Sequence, residues 1–184
     1  ETCHKYGLYL FLDGARLGYG LAAPDNDLTL PEIAALCDVF YIGGTKVGAL
    51  FGEAVVIKNP ELAQDFRYLI KQNGGMLAKG RLLGLQFDAL FTDGLYQVIS
   101  AHAIAMAEKL REAFTAKGYT YLAPNRTNQI FVIVPDAHLA KISEQFEYSY
   151  DQRIDATHSC VRFCTGWATR EENVDALIRC VEKL

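Results

Sequence analysis

The chain has 184 residues, 51% of them hydrophobic and 22% charged, with 10 Phe, 10 Tyr and 1 Trp. That is enough apolar material for a packed core and excludes disorder. Lys plus Arg is 18 and Asp plus Glu is 22, a net charge of −4 with no basic run to bind a nucleic-acid backbone; no apolar run approaches the roughly 18 residues that span a bilayer, and no period recurs that would signal a repeat fold.

Residues 1–7 lack the basic and apolar regions of a signal peptide and read as the last turn of a helix closed by Gly7. Leu8 to Leu12 is wholly apolar and ends at Asp13, the pattern of a strand buried on both faces. Pro24, Asp25, Asn26 and Asp27 mark a loop, and Thr29 with Glu32 forms a capping box for a helix reaching about Cys37. Asp38–Ile42 reads as a strand running into Gly43-Gly44-Thr45-Lys46, and Gly52–Ile57 as the next. Helical spacing runs from Pro60 to about Gln72, breaks at Asn73-Gly74-Gly75 and resumes from Met76 to Phe91. Tyr96 to Lys117 is an amphipathic helix stopped by Gly118, with Ile99, Met106, Leu110 and Phe114 pointing inward. Strands are expected at Gln129–Val134 and Ser159–Thr165, separated by a helix from about Asp136. A second capping box, Thr169 with Glu172, opens the last helix, whose apolar stripe is Val174, Leu177, Ile178 and Val181. The fold class is therefore α/β: residues 1–94 read as the closing part of a sheet with bridging helices, residues 95–184 as a smaller C-terminal α/β domain.

Five cysteines at 3, 37, 160, 164 and 180 make an odd set without a C-x-x-C. Reduced thiols in a cytoplasmic setting are expected. His158, Cys160 and Cys164 match no zinc spacing, so no metal is expected and the cysteines read as small core residues.

In open α/β sheets ligands bind at the carboxyl ends of strands. Asp13 lies at one such end with Arg16 three residues on, and Lys46 lies just past another, among Gly43, Gly44 and Gly48. These are either solvated loop charges or a functional set. A desolvated lysine is a nucleophilic amine, and a lysine with a nearby carboxylate suits pyridoxal phosphate, the lysine forming a Schiff base and the carboxylate pairing with the pyridine nitrogen. Gly14, Gly18 and Gly20 do not make a dinucleotide fingerprint. Arg162, inside the apolar strand Val161–Thr165, is either a surface ion pair or a binding group.

Leu10-Phe11-Leu12-Asp13-Gly14-Ala15-Arg16-Leu17 resembles the D-G-A-R motif of threonine aldolases, in the β-eliminating lyase family of fold-type I pyridoxal phosphate enzymes. Tyr41-Ile42-Gly43-Gly44-Thr45-Lys46 resembles the Schiff-base segment of that family, Gly74-Gly75-Met76 its glycine turn, and Val161-Arg162-Phe163-Cys164-Thr165 its arginine strand. The resemblance implies that Asp13 pairs with the ring nitrogen, Arg16 with the phenolic oxygen of the cofactor, Lys46 carries the Schiff base and Arg162 clamps a substrate carboxylate. It implies a lyase that cleaves a β-hydroxy-α-amino acid such as threonine to glycine and an aldehyde, with a small amino acid as partner and neither nucleic acid nor membrane. Residues 1–94 would then be the end of the cofactor-binding large domain. Alternatives are another β-eliminating lyase on the same scaffold, or a truncated module without cofactor. Gly166 and Ala168 stand where many threonine aldolases carry His and Asp, and Leu77 where they carry a basic residue, the mark of a side branch. The chain resembles the carboxyl-terminal half of such an enzyme, which implies that the phosphate-binding loop is not in it; it is therefore expected to be inactive alone and to form a homo-oligomer or to associate with the missing half.

Overall fold

The computed structural model describes residues 1–184, and two compact units emerge from its contacts: residues 1–21 with 26–98, and residues 22–25 with 99–184.

The first unit opens with α1 (Thr2–Lys5), closed by Gly7 at φ 63° while the Leu8 N–H reaches back to the Cys3 carbonyl at 2.8 Å. That is the expected left-handed glycine stop. Strand β1 (Phe11–Leu12) pairs in parallel with β2 (Val39–Gly43), which pairs antiparallel with β3 (Glu53–Ile57). The sequence places a strand buried on both faces at Leu8–Leu12, and the structure corrects this. The strand is two residues long, lies at the sheet edge, and leaves Leu8, Tyr9, Leu10 and Phe11 exposed. An apolar run reports hydrophobicity; nothing in this unit covers these side chains. Between the strands lie α2 (Leu17–Leu21), which the sequence reading missed, and α3 (Leu30–Leu36), whose Thr29–Glu32 capping box is present as expected.

Past β3, the stretch expected as one helix from Pro60 to Gln72 is two, α4 (Pro60–Ala63) and α5 (Phe66–Gln72), broken where Asp65 takes φ 56°. The next helix, α6 (Arg81–Phe91), begins five residues later than the expected Met76. A 3₁₀ turn at Thr92–Gly94 leads into α7 (Leu95–Ala116).

In the second unit, Gly118 ends α7 at φ 85°, and the Tyr119 N–H caps the Phe114 carbonyl at 3.0 Å. Strands β4 (Thr120–Tyr121), β5 (Gln129–Pro135), β6 (Ser149–Arg153) and β7 (His158–Cys164) form an antiparallel sheet in the order β4-β5-β7-β6. β5 alternates strictly, with Ile130, Val132 and Val134 buried and Gln129, Phe131 and Ile133 on the other face. The buried face packs against Met106, Leu110 and Phe114 of α7, against Leu139 and Ile142 of α8 (Asp136–Ile142), and against Val174, Leu177 and Val181 of α9 (Glu171–Glu182). β4 and β6 lay outside the sequence reading: the first is two residues long, and the second is exposed throughout, so neither shows an apolar run. The expected Thr169–Glu172 capping box does not form. α9 starts at Glu171, and the Thr169 hydroxyl instead accepts the Gly166 N–H at 2.8 Å.

All five cysteines are free thiols; Cys37 and Cys160 are buried, whereas Cys164 is exposed. No helix is long and apolar enough to cross a membrane.

Candidate functional site

Parallel pairing of β1 with β2, in the register Leu12↔Phe40, carries Asp13 and the Gly43–Lys46 segment toward the same carboxyl edge of the sheet. The two segments touch through backbone. The Gly43 N–H donates to the Gly14 carbonyl at 2.9 Å. A Cβ on Gly14 would lie 1.7 Å from the Tyr41 carbonyl oxygen, and one on Gly43 would lie 2.4 Å from the Ala15 carbonyl oxygen, so this approach admits only glycine on either side.

Asp13 is exposed, and its Oδ1 accepts the Ala15 N–H at 3.1 Å and the phenol O–H of Tyr41. The Tyr41 phenol is the main reason the carboxyl group stays below the usual carboxylate range; the Ala15 N–H and the charges of Lys46 and Arg16 act in the same direction. Reciprocally, the hydrogen bond to Asp13 pushes the Tyr41 phenol up to about 12, with the charge of Glu53 adding to the effect.

The Lys46 loop is held at several points. Glu53 Oε2 accepts the Gly44 N–H at 2.6 Å, and the Ala49 N–H donates to the Gly44 carbonyl at 3.0 Å. The buried Tyr19 donates its hydroxyl to the Lys46 carbonyl at 2.5 Å. The buried Tyr96 accepts the Gly18 N–H at 3.1 Å and donates to the Gly43 carbonyl at 2.9 Å, tying the segment after Asp13 to the segment before Lys46. Lys46 itself is exposed. Arg16 is half-buried.

Sequence reasoning singled out Asp13, Arg16 and Lys46, and the structure brings them together. It missed Tyr19, Tyr41 and Tyr96. Tyr41 was legible in principle, because β2 alternates and Phe40 and Ile42 are its buried positions. Tyr96, 53 residues beyond Gly43, left no local trace.

Arg162 belongs to the second unit. β7 buries Val161 and Phe163 and turns Arg162 to the opposite face. Its Nη1 donates to Gln129 Oε1 at 3.3 Å and its Nη2 to Ser149 Oγ at 3.5 Å, while Nε is buried without a partner. No ion pair includes Arg162, so the alternative of a surface ion pair does not describe it. It lines a cavity of about 350 Å³ with Ser149, Cys164 and Thr169. A guanidinium whose partners are all neutral keeps its charge available to an anion. No group of three or more His, Cys, Asp or Glu side chains is arranged to hold a metal ion.

Residues 1–137 match the β-eliminating lyase family. A low specificity L-threonine aldolase from Pseudomonas sp. (strain NCIMB 10558) is 31% identical over 180 residues, covering 96% of this chain and 50% of that protein. Another, from Pseudomonas aeruginosa, is 29% identical over 97% of this chain and 51% of that protein. Among solved structures, a threonine aldolase of Leishmania major superposes with a TM-score of 0.96 at 41% identity, over 99% of this chain and 53% of that one. The chain thus spans about half the length of the relatives it matches.

Proposed function

From the premise that this chain belongs to the β-eliminating lyase family, we propose that it carries part of the site of a pyridoxal-phosphate-dependent lyase of the threonine aldolase type. The substrate would be a β-hydroxy-α-amino acid such as threonine, cleaved to glycine and an aldehyde. The observation that carries this reading is geometric: the register Leu12↔Phe40 and the Gly43 N–H to Gly14 carbonyl bond at 2.9 Å bring the segments of Asp13 and Lys46 to one sheet edge, with Arg16 three residues after Asp13. These groups fit pyridoxal phosphate chemically. A carboxylate kept anionic pairs with a cationic ring N–H, a primary amine condenses with an aldehyde, and a guanidinium matches a phenolate oxygen. When bound, the group supplies an electron sink for the carbanion left by Cα–Cβ cleavage. The chain's own contributions are electrostatic and positional. Asp13 would hold the proton on the ring nitrogen, Arg16 would stabilise negative charge on the phenolic oxygen, and Lys46 would supply the amine that anchors the group. Arg162, with neutral partners only, would bind the substrate α-carboxylate. The similarity to low specificity L-threonine aldolases and to the threonine aldolase of Leishmania major supports the aldolase reading over a β-elimination.

The test is to add pyridoxal phosphate to the purified chain, reduce with borohydride and map the peptides. Label on Lys46 is expected; label on a different lysine overturns the assignment. Aldehyde release from L-threonine, assayed alongside, reports whether the chain turns over substrate. We further infer self-association in a reducing compartment, from the exposed Leu8, Tyr9 and Phe11 at the β1 edge and from five free thiols. Light scattering checks the first part: a monomer at all concentrations contradicts it.

A further inference from the structure

Asp13 has two carboxylate oxygens, and both hydrogen bonds it makes fall on one of them. Oδ1 accepts the Ala15 N–H and the Tyr41 phenol O–H. We propose that Tyr41 is a positioning residue for Asp13: by occupying Oδ1 together with Ala15, it fixes the carboxylate rotamer and leaves Oδ2 as the acceptor for a cationic ring N–H. The proposal rests on the reading of Asp13 as the partner of a pyridinium nitrogen.

The sheet explains why Tyr41 can do this. Leu12 pairs with Phe40 in the parallel ladder, so the next residue on each strand, Asp13 and Tyr41, come side by side where the ladder ends. Phe40 and Ile42 are buried, which turns Tyr41 to the opposite face. Phe11, two residues before Asp13 and therefore on the same face of β1, braces the Tyr41 ring at 6.1 Å between centroids. A tyrosine in this register meets the carboxylate and is itself held by an aromatic neighbour. The charged and titratable groups that face the pair are Lys46 and Arg16, which act on Asp13, and Glu53, which acts on Tyr41. A phenol pushed up to about 12 stays protonated at neutral pH and so stays a donor.

The orientation has a chemical consequence. A carboxylate with two donors on one oxygen is a weaker base than a free one, but it presents the other oxygen in a fixed direction. A pyridinium that docks on Oδ2 meets an acceptor already in place and does not have to order it.

The test is Tyr41→Phe in the full chain. It removes the hydroxyl and keeps the ring against Phe11. The first readout needs no cofactor: the Asp13 carboxyl carbon is titrated by NMR, assigned by its absence in Asp13→Asn. In Tyr41→Phe its midpoint should rise toward that of an ordinary aspartate. A role in packing alone would leave it unmoved, and an unmoved midpoint overturns the proposal. The second readout is the binding of pyridoxal phosphate, followed by absorbance. Tyr41→Phe should weaken it by roughly three- to tenfold, the range expected for one hydrogen bond. Asp13→Asn separates the two ideas. If Asp13→Asn leaves binding and spectrum unchanged, the reading of Asp13 as a ring-nitrogen partner fails, and the Oδ2 half of the proposal falls with it. If Asp13→Asn weakens binding and Tyr41→Phe does not, Tyr41 has no positioning role.

Discussion

Replacing Tyr96 by Phe removes one oxygen atom and probes the bond between the two site segments. The Tyr96 side chain is 2% exposed, and its ring packs edge-on against Phe91 at 5.8 Å, a contact that Phe retains. What is lost is a pair of buried hydrogen bonds, from the Gly18 N–H at 3.1 Å and to the Gly43 carbonyl at 2.9 Å. A buried polar group left without a partner costs about 1–3 kcal/mol. The carbonyl can use its second lone pair, so the expected loss is about 2–4 kcal/mol in total. With a urea slope of about 1–2 kcal/mol/M, the unfolding midpoint of this unit should fall by roughly 1–2 M. Amide exchange gives a local check, since the Gly18 N–H should lose protection while the sheet amide of Ile42 keeps most of its own. Alkaline pH gives a third. Burial pushes the Tyr96 phenol up to about 12. The folded state therefore holds this proton more tightly than the unfolded chain, whose phenol titrates near 10. The stabilisation is complete below about pH 10 and is lost as pH rises toward 12, and Tyr96→Phe should flatten that decline. A midpoint within 0.3 M of wild type (about 0.5 kcal/mol at this slope), with Gly18 still protected, would refute the reasoning.

Three further outcomes are expected. Gly14→Ala should prevent folding of the first unit or destabilise it severely, because its Cβ would lie 1.7 Å from backbone oxygen; Gly84→Ala, in α6 with nothing within 4 Å, should gain about 0.5–1 kcal/mol, and paired thermal melts compare them. Phe114→Ala should cost the second unit about 3–5 kcal/mol in denaturant unfolding, since Phe114 is 1% exposed and packs at a tilt against Phe163, with ring centroids 5.4 Å apart. Asp155 is held down to about 2, first by the Thr157 N–H and then by His158. Its contribution is present above the ordinary carboxylate pKa near 4 and is lost as pH falls toward 2. Asp155→Asn keeps an acceptor for the turn but cannot titrate, so its acid-unfolding curve should be flatter between pH 4 and 2.

Local patterns determined what local physics controls. The Thr29–Glu32 cap, the glycine stops at Gly7 and Gly118, and the inward positions Met106, Leu110 and Phe114 were legible because each depends on residues within a turn or two. The positions of Asp13 directly after β1 and of Lys46 three residues after β2 were legible for a related reason: a charged residue or a glycine pair after an apolar run marks a strand end. Other features depended on neighbours far along the chain. Leu8–Leu12 looks like a buried strand, yet Leu8 to Phe11 are exposed, because burial is a property of what packs against a segment. The Thr169–Glu172 pattern is a valid cap signal, but the Gly166 turn takes the Thr169 hydroxyl first. Tyr41 reaches Asp13 only through the parallel register of β1 and β2, and Tyr96 reaches Gly18 and Gly43 across 78 and 53 residues of sequence. Sequence alone thus placed Asp13 and the Gly43–Lys46 segment at strand ends, because side-chain type and strand ends are encoded locally. Only tertiary structure decided what holds and orients them, because those hydrogen bonds form between residues that chain folding alone brings together.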